Sequence, residues 1–417
     1  MPPLGLPLMY VGFAALCFAT AALGAIRYAH DFTGFYYQPH IIAFTHLITL
    51  GWVTSNIFGL LYVVMPMALQ TRFPAGKLDH VFFWLYVVGV TGMVAHFWIG
   101  RYVGMAYSAG CVYSTILFMA HKTFAAARKG KMQRPSKFFV LLAFVNLLVA
   151  GAWGLTVGLN KVHGFLPTAT MGNLLAHLHL AAIGWGTMIV FGVAHRLLPM
   201  FLPAKPISGR SPILGAVCLQ AGALGLFLAL LFWQRGVPFA AVVVMAGIAL
   251  FLRSAVFMVT HRRPAPPPQR PWPDYSLLSA MASLCWLITA AVTGFALLLS
   301  KPTETSLQIA QAYGFAGLVG FLSQVVAGMQ PRILSVFTWY FAFTKAGSIG
   351  GIPRPVDMPR RLLQIATFQF WLLGVIAFIA GIVLQNELPI RFGGACLLSG
   401  TVVSTTHNLL ILRVINR

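Results

Sequence analysis

Apolar runs long enough to cross a bilayer, roughly 20 residues each, follow one another along the whole length of this chain. In lipid the backbone has no water to bond to, so such runs fold as helices that satisfy their own N–H and C=O groups. The expected fold is therefore all-α, a polytopic membrane protein. Twelve transmembrane helices are placed near 4–26, 41–68, 81–104, 105–121, 137–159, 170–202, 212–233, 237–260, 275–300, 306–331, 361–384 and 391–414. Only 8% of the 417 residues are charged, against about 25% in soluble domains, which removes the soluble classes from consideration.

A net charge of +22 is the kind of excess that draws nucleic acid, but its placement speaks for topology. With the N-terminus on side A, twelve spans put 22 of the 28 Lys and Arg on that side, including Arg72, Lys77, the run from Lys122 to Lys137, Arg360 and Arg361. Side B keeps six: Arg27, Arg101, Lys161, Arg235, Lys301 and Arg391. By the positive-inside rule side A is cytoplasmic and both termini are inside, as expected for a bacterial inner-membrane protein. The partner implied is the lipid bilayer, with no nucleic acid. The run Lys122, Arg128, Lys129, Lys131, Arg134, Lys137 suits anionic lipid, although an ordinary topology signal is the plainer reading. The first apolar segment lacks the basic start and cleavage site of a signal peptide. Cys17, Cys111, Cys218, Cys285 and Cys396 fall inside helices without paired spacing, and read as packing residues instead of disulfides or a CxxC metal site.

One segment occurs twice. Residues 46–67, HLITLGWVTSNIFGLLYVVMPM, return 133 positions later as HLAAIGWGTMIVFGVAHRLLPM, with nine of 22 positions identical. The shared residues include His46/His179, Gly51/Gly184, Trp52/Trp185, Thr54/Thr187, Gly59/Gly192 and Pro66/Pro199. The offset spans four helices, so the chain is expected to be one integral membrane domain of three four-helix units, about 1–130, 131–270 and 271–417. The third unit rests on its length and helix count. Its second helix, near 312–334, keeps glycines and a terminal Pro331 but has no histidine. The proline-rich stretch 263–274 reads as a stiff connector, and 335–360 as a long cytoplasmic loop.

An ionisable side chain inside an apolar span is costly without a partner, so histidines in equivalent places point to a shared metal or haem. His46 and His179 sit about one and a half turns into their helices from the outer side. His96 reaches the same level from the opposite direction, and His30, His40 and His163 lie in outer loops. His177 and His179 are two positions apart, about 200° around a helix, so they cannot hold one ion together but can serve two centres.

The segment His177-Leu178-His179, Gly184-Trp185, Phe191-Gly192 and Leu197-Leu198-Pro199 resembles the tenth helix of the catalytic subunit of haem–copper oxidases. The likeness is greatest to the C-family (cbb-type) oxidases and the related nitric oxide reductases. The resemblance implies that His46 and His179 are the axial ligands of a low-spin haem b, and that His177 holds a second haem or a copper centre. It extends to a twelve-helix core with three pseudo-repeats. The chain departs from the family in carrying this motif on its sixth helix, and in having no match to the three copper histidines. A second likeness, in length, helix count and paired histidine helices, is to NnrS-type haem- and copper-binding membrane proteins.

Plainer roles stand beside these. His46 and His179 would otherwise be buried histidines bonded to a neighbouring helix. His96 is a ligand, a hydrogen-bond partner or a packed polar residue. Arg101 pairs with propionates or snorkels to the interface. Trp52 and Trp185 pack on a porphyrin or simply interlock helices. His195 reads as interfacial, and His80, His121, His261 and His407 receive no role.

Two functions follow. The first is a haem-b-binding oxidoreductase-class protein working in electron transfer or nitric-oxide/oxygen redox chemistry, without the standard copper site. A separate cytochrome c or quinol would donate electrons, since no CxxCH motif is present, and further membrane subunits would accompany it. Its six acids, Asp31, Asp79, Asp274, Glu304, Asp357 and Glu387, lie in or near loops, so no carboxylate proton channel is expected. The second is a transporter or handling protein for copper or another small substrate, using the buried histidines and methionines.

Overall fold

The computed structural model describes residues 4–416 apart from 206, 208, 264–273 and 348–350. The proline-rich connector therefore lies almost wholly outside the described residues. Among those described there is no strand, only an isolated bridge between Ala204 and Arg262. The chain is all-α, as the apolar runs require.

The long helices are α1 (Gly5–Arg27), α2 (Pro39–Met67), α3 (Lys77–Trp98), α4 (Met105–Lys129), α5 (Arg134–His163) and α6 (Thr170–Phe201). They continue with α7 (Ser211–Phe232), α8 (Val237–Thr260), α9 (Tyr275–Leu299), α10 (Glu304–Ala346), α11 (Arg361–Leu384) and α12 (Glu387–Leu412). Among the described residues, eleven helices are long and apolar enough to cross a membrane; α4 is not one of them. It is 25 residues long but mixes small and hydroxyl side chains with His121, Lys122, Arg128 and Lys129. Four of the six acids stand at helix starts: Asp79 in the first turn of α3, Asp274 capping α9, Glu304 and Glu387 opening α10 and α12. Negative charge there meets the positive end of the helix dipole.

The helices form two compact units. One comprises Met1–Pro7 and Val64–Pro268, the other Leu8–Val63 and Gln269–Arg417. In the first, α3 to α8 pack each on its sequence neighbour, and α5 lies along both halves of α6. Lys161 reaches over the Tyr102 ring at 4.4 Å, so the α3–α4 and α5–α6 turns share one end of that unit. The opposite end gathers the α2–α3, α4–α5 and α6–α7 connections, where Arg263 N donates to Pro203 O at 3.0 Å. In the second unit, α9 packs on α10, α11 on α12, and α12 on the later half of α10. There α1 meets α2, with Ser55 Oγ donating to Tyr10 O at 3.0 Å.

Three helices carry a wide π turn of eight residues: Leu47–Thr54 in α2, Leu180–Thr187 in α6 and Ala316–Ser323 in α10. Each closes on a hydroxyl residue. Thr187 Oγ1 donates to Ala182 O at 3.0 Å and Ser323 Oγ to Leu318 O at 2.8 Å, both five residues back. Thr54 holds the matching position in α2. A π turn widens the backbone ring, and a donor reaching back five residues satisfies a carbonyl that the α pattern would have used.

The tail of α10 corrects the sequence reading. Residues 335–346, expected as loop, continue the helix, which stops at Gly347 in a left-handed conformation (φ +66°). Pro331 is therefore inside the helix and not at its end, unlike Pro66 and Pro199, which stand within two residues of theirs. Tertiary burial outweighs the proline penalty: Ile333, Leu334, Ser335, Phe337 and Thr338 are all buried. Buried Arg332 forms an ion pair with Asp274, the cap of α9.

Candidate functional site

His46 and His179 have the same local construction. Each is the last α-helical residue before a π turn. The Nδ1 of His46 bonds Ile42 O at 2.8 Å, and that of His179 bonds Leu175 O at 2.7 Å. A carbonyl only accepts, so Nδ1 carries the proton and the Nε2 lone pair is the ring's acceptor. That is the tautomer in which a histidine ligates iron, copper or zinc, with Nδ1–H anchored to the backbone and fixing the ring's orientation. Both side chains are half-buried within apolar spans.

The turn after each histidine is shaped by a glycine. A Cβ on Gly51 would stand 2.6 Å from Cys17 Cβ, and one on Gly184 would stand 2.9 Å from Asn146 Cβ. Gly320, at the same place in the third π turn, would meet Trp286 Cγ at 2.7 Å. In each case the wide turn lies directly on the preceding long helix, and only hydrogen fits. Cys17 is thus a packing residue, as its isolation in the sequence suggests. Asn146 adds a bond from Nδ2 to Gly184 O at 2.9 Å and pairs with Gln220. The residue before the third π turn is Phe315, stacked on Phe378 at 4.1 Å, so that turn has no imidazole.

The two tryptophans after the glycines serve helix packing. Trp52 stacks on Trp371 at 6.1 Å and tilts against Phe18 at 5.1 Å. Trp185 meets the edge of Phe144 at 5.1 Å.

His177 faces away from His179 on α6. Its ring lies over Gly154 of α5, where a Cβ would come within 2.6 Å of His177 Cε1. The two rings of the His-Leu-His segment therefore project to different surroundings, as the 200° separation requires. His96 lies over Gly104 at the start of α4, 2.5 Å from where a Cβ would stand. Among the described residues no three His, Cys, Asp or Glu side chains gather at metal-holding spacing. Arg101 is exposed.

Three features escaped the sequence reading. His195 is a packed core residue: it is 5% exposed, stacked on Phe139 at 5.1 Å and edge-on to Phe251 at 5.5 Å. Its counterpart in the first copy, Tyr62, stacks on Tyr10 at 6.5 Å, so the slot is aromatic in both. The clue was the Tyr62/His195 alignment itself. His407 is fully buried, its Nε2 accepting from Arg360 N at 2.9 Å. Finally, Asn56, Gln330 and Asn408 join in a buried amide chain: Gln330 Nε2 donates to Asn56 Oδ1, and Asn408 Nδ2 donates to Gln330 Oε1 at 3.0 Å. These three come from α2, α10 and α12, and nothing local in the sequence marks them as partners.

No protein-family profile matches this chain, and no curated protein matches it either.

Proposed function

We propose that this chain is a haem-b-binding integral membrane protein of the haem–copper oxidase class, with His46 and His179 each acting as an axial ligand. The supporting observation is their shared construction. Two half-buried imidazoles in apolar spans each donate Nδ1–H to the carbonyl four residues back, immediately before a π turn, and so present Nε2 as the ligating atom. Wide turns of this kind concentrate at functional sites. Bound haem supplies one-electron redox chemistry, and an iron with two histidines has no open position for a gas. Electron transfer is therefore the activity these residues support. His177, turned toward α5, would serve a separate haem or copper centre and not the same iron; His96 is a further candidate ligand. A separate cytochrome c or quinol, and additional membrane subunits, complete the reading.

The architecture proposed is twelve spans in three four-helix repeats with both termini in the cytoplasm of a bacterial cell. Its support is the recurrence of the glycine, the hydroxyl and the π turn at Gly51/Thr54, Gly184/Thr187 and Gly320/Ser323.

Absorption and electron paramagnetic resonance spectra of the purified full chain test the proposal. The expected result is a Soret band and a low-spin ferric signal, both lost in His46→Ala and in His179→Ala, with His195→Ala leaving them in place. A colourless protein that binds copper would overturn it and favour the transport alternative.

A further inference from the structure

We propose that the end of the α3–α4 hairpin where residues 68–76 and 130–133 meet is a binding surface for an anionic phospholipid of the surrounding bilayer, recognised through its phosphodiester headgroup. The basic run of the sequence does not survive intact in the fold. Lys122 leaves it, half-buried and ion-paired with Asp79 while lying over the Phe73 ring at 4.7 Å. Arg128, Lys129, Lys131 and Arg134 remain exposed. Arg72 then joins them from another connection. Gly130, which caps α4, is seated against Thr71 so closely that any side chain there would collide with it. That contact joins the chain neighbours of exposed Arg72 to those of exposed Lys129 and Lys131, at one end of the hairpin.

Local sequence supplies almost no opposing charge. Between Arg72 and Lys137 the sequence has a single acid, Asp79. Its carboxylate is 7% exposed and committed, accepting from Gly76 N at 2.7 Å and holding Lys122. The start of α5 adds to the field: its cap residue Gln133 makes no side-chain bond to the first turn. Helix starts of that kind offer N–H groups and positive potential to an anion. Exposed apolar side chains begin within a turn or two of the rim, Leu78, Val81 and Trp84 on α3 and Phe138 on α5. Acyl chains would lie along these while the headgroup meets the basic rim. A topology signal needs positive charge on these loops; it does not need the contact of Thr71 with Gly130 that brings the two connections together, nor the burial of the one local acid.

Each Lys or Arg near an anionic lipid surface is worth about fivefold in affinity. Loss of three is expected to weaken binding by about 100-fold. The test uses the delipidated full chain in neutral detergent, titrated with short-chain phosphatidylglycerol and, separately, phosphatidylcholine of the same chains, with bound lipid counted by native mass spectrometry. Phosphatidylglycerol is expected to bind at least tenfold more tightly, and increasingly so as salt is lowered. Arg128→Gln/Lys129→Gln/Lys131→Gln should abolish that preference, whereas the charge-matched Arg101→Gln/Arg235→Gln/Lys301→Gln should keep it. Equal binding of the two lipids, equal loss in both variants, or displacement of phosphatidylglycerol by millimolar inorganic phosphate would each overturn the proposal.

Discussion

Asn56, Gln330 and Asn408 show what a single residue contributes inside a lipid-embedded bundle. Buried amides are tolerated when their bonds are made, and stranding one costs about 1–3 kcal/mol. Gln330→Leu removes both links of the chain at once, leaving Asn56 Oδ1 and Asn408 Nδ2 without the bonds they make now. A lower unfolding midpoint in detergent is expected, and Asn56→Leu/Gln330→Leu/Asn408→Leu should recover most of it, because apolar replacement of all partners is nearly neutral. If the single variant unfolds with the wild type, the trio contributes nothing to stability. The ion pair of Arg332 with Asp274 follows the same logic with charge. Asp274→Ala removes the carboxylate paired with a buried guanidinium and uncaps α9, so a loss of about 3–5 kcal/mol is expected in chemical denaturation. His46 and His179 were legible at this scale because they recur in sequence. The buried state of His195 and His407 was not, since it is decided by Phe139, Phe251 and the start of α11, far away along the chain.

At the scale of the element, the recurring unit is a π turn laid on the preceding long helix. Gly51→Ala places a methyl 2.6 Å from Cys17 Cβ, an overpacking that typically costs about 1–3 kcal/mol. Cys17→Gly opens the space it needs. The double variant should regain stability lost by Gly51→Ala, which a thermal shift assay measures; additive losses would mean the two positions are not coupled. Thr187→Val keeps the shape of the side chain and removes the donor to Ala182 O, with an expected loss of about 1 kcal/mol. Two copies of this element were readable from identical residues, and the third was not. Pro331 suggests an offset from Pro199 of 132, whereas the π turns of α6 and α10 begin 136 apart. The better marker is a glycine, a hydroxyl three residues on and a second glycine eight residues on: Gly51, Thr54, Gly59; Gly184, Thr187, Gly192; Gly320, Ser323, Gly328. Proline misled because burial of the following residues carries α10 past it.

For the whole molecule, the sequence made an all-α chain of long apolar helices legible, since apolar length is a direct consequence of bilayer thickness. Membership of the two compact units was not, because Leu8–Val63 groups with residues more than 200 positions later. The topology turns on α4, the one long helix too polar to qualify by composition. If it crosses, Arg101 and Lys131 face opposite compartments and the termini face the same one. Single cysteines at these two positions should then react with an impermeant maleimide from opposite sides of oriented vesicles; labelling from one side would mean eleven crossings. One further consequence lies in α10. Phe315 precedes a π turn of the same build as those after His46 and His179, yet offers iron no nitrogen. The molecule thus carries a histidine-free copy of the same element, on which Phe315→His would ask whether the surrounding turn alone suffices to recruit a porphyrin.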